Sequence, residues 1–115
     1  MSDFVDYLKD VFHLFGPISS RSMFGGHGIY HNGLMFGLVA DDTLYLKVDK
    51  QSKSTFEAEG LGPFVYVKKD GKPMNMSYHL APEEIYDEPE AAARWADIAY
   101  QAAVRSQKPT KKKSK

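Results

Sequence analysis

Residues 21–49 read RSMFGGHGIYHNGLMFGLVADDTLYLKVD, and turn residues divide this stretch into three strand-like runs. Arg21 to Phe24 opens a strand, Gly25, Gly26 and Gly28 bend or bulge it, and Ile29 to His31 resumes it. Asn32-Gly33 is the preferred pair for a primed two-residue turn, which returns Leu34 to Ala40 as the next strand. Asp41-Asp42 turns the chain once more into Thr43 to Val48. There Leu44, Leu46 and Val48 share one parity, and Tyr45 and Lys47 the other. The pattern predicts three consecutive antiparallel strands.

Upstream, Ser2 or Asp3 caps a helix whose apolar positions, Phe4, Leu8, Val11, Phe12 and Phe15, recur at helical spacing until Gly16 and Pro17 stop it. Downstream, Asp49 caps a short helix through Lys50 to Glu59, anchored by Phe56 and ended by Gly60 and Gly62. Phe64 to Lys68 and Met74 to Leu80 form a second hairpin around Asp70-Gly71. Met74, Met76, Tyr78 and Leu80 are expected on its buried face, and Asn75, Ser77 and His79 on its polar face. Pro82-Glu83-Glu84 reads as a helix start, with proline at the first position and acids at the positive end of the dipole. A second start at Asp87, Pro89 and Glu90 opens a longer helix to about Arg105, with Ala92, Trp95, Ala99 and Ala102 on one stripe. The order α-β-β-β-α-β-β-α predicts a two-layer α+β domain, an antiparallel sheet of about five strands with helices packed on one face. It occupies residues 1–106, and residues 107–115, QKPTKKKSK, form a flexible basic tail.

A chain of 115 residues with 43% apolar and 13% aromatic residues is sized for one hydrophobic core. No apolar run approaches the roughly 20 residues that span a bilayer, and the acidic N-terminus is unlike a signal peptide. A cytoplasmic protein without membrane contact is expected. The absence of cysteine excludes disulfides, thiolate metal sites and a cysteine nucleophile. The formal net charge of zero hides a partition. Six cations and no carboxylate follow from Arg105 onward, while residues 1–104 hold nine cations against fifteen acids. Such an acidic body disfavours a dedicated duplex-DNA binder.

The ordered set Arg21-Ser22-Met23-Phe24-Gly25-Gly26, Gly28-Ile29-Tyr30, Phe36-Gly37, Leu44-Tyr45-Leu46-Lys47, Pro63-Phe64, Tyr78, Pro82-Glu83-Glu84 and Trp95 resembles the N-terminal domain of the TfoX/Sxy family, bacterial regulators linked to natural competence. The resemblance runs from about residue 3 to residue 105. It implies transcriptional control, described for the family as assistance to the cyclic-AMP receptor protein at competence promoters, and no enzymatic activity. Longer members carry a second, helical C-terminal domain. The expectation here is a stand-alone domain that keeps a partner surface.

No catalytic set assembles from the sequence. Its serines lack a G-x-S-x-G elbow, and the acidic pairs Asp41-Asp42, Glu83-Glu84 and Asp87-Glu88 are explained by turns and helix starts. His27, His31 and His79 lack the further converging ligands of a metal site, and no cofactor motif is present. The polar parity of Tyr45, Lys47, Phe64, Tyr66, Lys68 and His79 suits base stacking but is equally an ordinary set of cross-strand pairs. Arg21 beside the bend is the feature singled out, because a guanidinium and free backbone N–H groups suit a partner carboxylate or an anion. The candidate partner or ligand set is therefore Arg21, Met23, Phe24, Gly25, Gly26 and Gly28, with Lys108, Lys111, Lys112, Lys113 and Lys115 as an accessory. The function expected is a non-enzymatic protein-interaction module, with a small-ligand or anion-binding domain and weak nucleic-acid contact through the tail as alternatives. A free sheet edge also permits a homodimer.

Overall fold

Both short turns in the opening stretch are hairpin turns of the primed kind. Asn32 and Gly33 take φ of 51° and 81°, and Asp41 and Asp42 take 52° and 54°. The computed structural model, which describes residues 3–23, 26–67, 70–71 and 73–107, sets these turns in one antiparallel sheet. Its elements are α1 (Asp3–Val11), β1 (Ser19–Met23), β2 (Gly26–His31), β3 (Leu34–Ala40), β4 (Thr43–Lys47), α2 (Lys53–Ala58), β5 (Pro63–Val67), β6 (Pro73–Leu80), a 3-10 helix (Glu83–Tyr86) and α3 (Pro89–Ser106). The strand order is β1-β2-β3-β4-β6-β5. The α+β class, the antiparallel sheet and the helices on one face are as the sequence predicts. The sheet has six strands, because the glycine-rich segment is itself a hairpin. Arg21 pairs with Gly28 and Met23 with Gly26, so the chain reverses where a bend within one strand was expected.

A bulge does occur, one hairpin later. Ile29 pairs with Gly37 and Tyr30 with Met35, which leaves Phe36 as the extra residue of β3. The bulge delivers Phe36 to the helix side, where its ring lies 5.7 Å from Phe12 and 5.3 Å from Phe15. Ile29, Phe36, Val39, Leu44, Leu46 and Val48 from the sheet join Val5, Leu8, Val11 and Phe12, then Phe56, Ile85 and Trp95, in one core. Phe4 and Phe15, expected inside, are partly buried against it.

Along α3 the small residues Ala92, Ala96, Ala99 and Ala103 are buried, which lets the helix backbone lie close to the sheet. Trp95 sits among them 5.0 Å from Phe56, and its indole N–H donates to Glu84 at 2.8 Å. That bond ties the 3-10 helix to α3 and leaves no buried indole donor unpaired. α2 is shorter than expected, since Asp49 to Ser52 form a turn in which Asp49 accepts the N–H groups of Gln51 and Ser52. It ends in a Schellman arrangement around Gly60 at φ 74°, with Leu61 N–H to Phe56 and Gly60 N–H to Glu57.

One long-range ion pair closes the far end of α3. Arg105 donates to Asp49 at 2.6 and 3.1 Å, a two-point contact across 56 residues of sequence. Arg105 was counted with the basic tail in the charge partition, yet it belongs to α3 and neutralises an acid of the body. Its bonds, together with those from Ser52, hold the Asp49 carboxyl at about 2 against an ordinary 3.8. A depressed carboxyl stabilises the fold fully above its unfolded value, and that contribution disappears as pH falls toward the folded one. Asp49→Asn should therefore lower the thermal midpoint at pH 6, and the gap to the parent should close between about pH 4 and pH 2. A gap independent of pH would show that the charge is not what matters.

Gly26 has a packing reason. A Cβ there would stand 2.0 Å from the carbonyl oxygen of Val39. Gly26→Ala should cost about 3 kcal/mol or more in urea unfolding, because the obstacle is backbone and cannot rotate away. A loss below about 1 kcal/mol, the ordinary glycine-to-alanine scale, would mean that β2 and β3 are not this close.

Candidate interaction face

All four helical segments contribute to the core cluster on one side of the sheet, so the opposite side carries none of the described helices. Register places its residues. Arg21 pairs with Gly28, Gly28 with Leu38, Leu38 with Tyr45, and Tyr45 with Leu80. Beside them Lys47 pairs with Tyr78. This parity alternates with that of Leu44 and Leu46, which face the helices.

The face is built from aromatic rings and cations. The Arg21 guanidinium lies over the Tyr30 ring at 5.4 Å, and the Lys47 ammonium over Tyr78 at 5.2 Å. Tyr45 and Phe64 lie 4.7 Å apart. Gly28, buried between Arg21 and Leu38 in the register, brings no side chain to this row. Burial pushes the Tyr78 phenol up to about 12, with Tyr30 adding to the shift. Lys47 is lowered by burial in spite of the nearby Asp49. Leu38 is 1% exposed and Tyr78 is 7% exposed, while Arg21 and Leu80 are open to solvent. None of the six strands contains an aspartate or a glutamate. The side away from the helices therefore offers cations and rings without a competing carboxylate of its own strands.

Of the residues expected to bind, Arg21 stands exposed on this face, and Gly26 and Gly28 are buried backbone within the β1–β2 hairpin. Met23 ends β1, while Phe24, Gly25 and the tail lysines Lys108, Lys111, Lys112, Lys113 and Lys115 lie outside the described residues. His79 is a correction. It is 5% exposed on the helix side, where its Nδ1 bonds the Leu61 carbonyl at 2.7 Å and its ring meets Phe56. The parity of β6 is thus the reverse of the expected one, with Tyr78 and Leu80 on the side away from the helices. Alternation alone does not reveal this, because tyrosine and methionine suit either face. His31 is structural, bonded to the Pro17 carbonyl at 2.7 Å and packed against Phe15 and Tyr100. Among the described residues no cluster of three or more histidine, aspartate or glutamate side chains is arranged to hold a metal ion. Tyr30 and Tyr78 were missed as members of the face. The signal for Tyr30 was the Arg21–Gly28 pairing, which exists only once the glycine segment is recognised as a hairpin.

The family model of the TfoX N-terminal domain matches residues 10–103. The chain belongs to the TfoX N-terminal domain family. A curated relative, the DNA transformation protein TfoX1 of Aliivibrio fischeri (strain ATCC 700601 / ES114), is 41% identical over 54 residues, which is 47% of this chain and 26% of the relative. The match thus spans about a quarter of that protein's length. Arg21, Tyr30, Lys47 and Tyr78, which make the two cation–ring contacts, all belong to the set of residues that carries the resemblance. No helix among the described residues is long and apolar enough to cross a membrane.

The Arg21–Tyr30 contact is measurable without any partner. A double-mutant cycle of Arg21→Ala and Tyr30→Leu in urea should give a coupling of about 0.5–1 kcal/mol, the scale of an exposed cation–ring pair. Coupling indistinguishable from zero would remove the contact from the description of the face.

Proposed function

We propose that this chain is a non-enzymatic regulatory module that binds a protein partner on the face of its sheet away from the helices, acting in the cytoplasm in or near transcription control. The observation that carries this reading is the absence of carboxylates from all six strands beside an exposed Arg21, a partly buried Lys47 and four aromatic rings. Charge complementarity selects a partner that presents aspartate or glutamate. Arg21 supplies a planar fork for a carboxylate, and the rings supply apolar contact at low entropy cost. Family membership supports regulation as the setting. Transcription machinery such as the cyclic-AMP receptor protein is the partner class that the resemblance implies.

Single-stranded nucleic acid is the competing occupant of an aromatic and basic face. Two face cations release few counterions, and residues 1–104 carry six more acids than cations, which favours a protein.

Affinity capture from native lysate with the full chain, its Arg21→Glu variant and a nuclease-treated control separates the two. The expected result is an identified acidic protein, retained after nuclease and depleted at least about tenfold by Arg21→Glu, with the variant's thermal midpoint preserved. Capture unchanged by Arg21→Glu, or bound material that nuclease removes, would overturn the protein-binding assignment.

A further inference from the structure

On the helix side, away from the proposed partner face, a cavity of about 380 Å³ opens between the start of α2 and β6. Its lining includes Val48, Lys50, Lys53, Pro63, Ser77 and His79. The volume is at the small end of ligand pockets, which run from about 300 to 1,000 Å³.

His79 gives the cavity a directed polar group. The Leu61 carbonyl can only accept, so Nδ1 of the imidazole carries the proton in the 2.7 Å bond between them. In the neutral ring that leaves the Nε2 lone pair as an acceptor. Every fully buried side-chain nitrogen or oxygen among the described residues has a hydrogen-bond partner, and His79 bonds only through Nδ1. Nε2 is thus not fully buried, although His79 as a whole is only 5% exposed, and His79 lines the cavity. Phe56 packs against the ring and the Leu61 bond holds it, so this acceptor is oriented before anything binds.

The charges at the mouth favour an anion. Asp49 also borders the cavity, but its carboxylate is already satisfied by Arg105, Gln51 and Ser52. Glu57 meets Lys53 at 3.9 Å, with both side chains more than half exposed, a pairing of little strength. Lys50 is exposed, and no ion pair among the described residues engages it.

We infer that this cavity binds a small organic anion that also carries a hydroxyl or N–H group, which donates to Nε2 of His79 while the anionic end reaches Lys50 and Lys53. Ser77 stands beside His79 as a further hydroxyl. A carboxylate and a phosphate monoester satisfy the same geometry.

The test is nuclear magnetic resonance of the full, ¹⁵N-labelled chain, following backbone amides and the imidazole nitrogens, with glycerate, glycerol 3-phosphate and neutral glycerol as probes. Saturable shifts with at least one of the two anions, confined to residues 48–57 and 77–79 and including Nε2 of His79, are expected. Whichever anion saturates at lower concentration identifies the headgroup. Glycerol should bind at least about tenfold more weakly than that anion, and Lys50→Glu should weaken the anion by a similar factor. His79→Phe should abolish the response, and because its loss of the Leu61 bond bears on folding, the surface variant Lys50→Glu carries the decision. No saturation by either anion into the tens of millimolar, equal binding of glycerol, or indifference to Lys50→Glu would overturn the inference. Failure here leaves the sheet face untouched, since Arg21 and this cavity lie on opposite sides of the sheet.

Discussion

Phe36 is the residue on which both faces of the sheet depend. Regular alternation would send it to the side opposite Gly37, with Leu38, and take its ring away from Phe12 and Phe15 just after α1. The bulge against Ile29 and Tyr30 adds one residue to β3, so that Phe36 enters the core between Phe12 and Phe15 while Gly37 stays in register with Leu46. Gly37 makes this tolerable, because a Cβ there would crowd Ile29 and Leu44 at 3.3 and 3.4 Å. Burying a phenylalanine is worth about 1.5–3 kcal/mol in transfer alone, enough to fix the register of a short strand. Once that register is set, Leu38 must face away from the helices and lie between Gly28 and Tyr45.

Much of this arrangement was legible in the sequence. The Asn32-Gly33 and Asp41-Asp42 turns, the parity of Leu44 and Leu46, the Ala92–Trp95–Ala99 stripe and the glycine stop of α2 each rest on local chemistry, and local chemistry is what a sequence displays. The extra strand was not legible for a specific reason. A glycine-rich segment between two strand-like runs fits a bulge and a reversal equally well, and only pairing decides between them. In the structure Gly26 is held to glycine by the Val39 carbonyl of β3, a residue 13 positions away and invisible to a local reading.

The reversed parity of β6 has the same origin. Met74, Met76, Tyr78 and Leu80 form the more apolar series, and a transfer argument places that series in the core. The opposite outcome follows from the bond that His79 finds. A histidine is costly to bury without a partner, but the Leu61 carbonyl at the end of α2 supplies one 18 residues away, and Phe56 supplies an edge contact. Tyr78 then takes the other side, where its body is covered and its ring receives the Lys47 ammonium. The candidate sites were hidden with it. Arg21 could be named from the sequence, whereas Tyr30, Tyr78 and the cavity beside His79 appear only when β1 is paired with β2, and β4 with β6 across 31 to 35 residues.

Charge is sorted by the same topology. The acids concentrate in helices and turns, where capping and dipole chemistry accept them, and the strands keep only Arg21 and Lys47 as permanent charges. An acidic surface thus surrounds a sheet face that is locally cationic, so the net charge misstates what an approaching partner meets at short range. Beyond a Debye length of about 8 Å at physiological salt the sum matters, and within it the local pattern does. Arg105 sharpens the contrast, because its contact with Asp49 neutralises an acid at the cavity mouth, beside a Lys50 that has no ion pair among the described residues. One ion pair at the end of α3 thus shapes the field of the cavity as well as the docking of the helix.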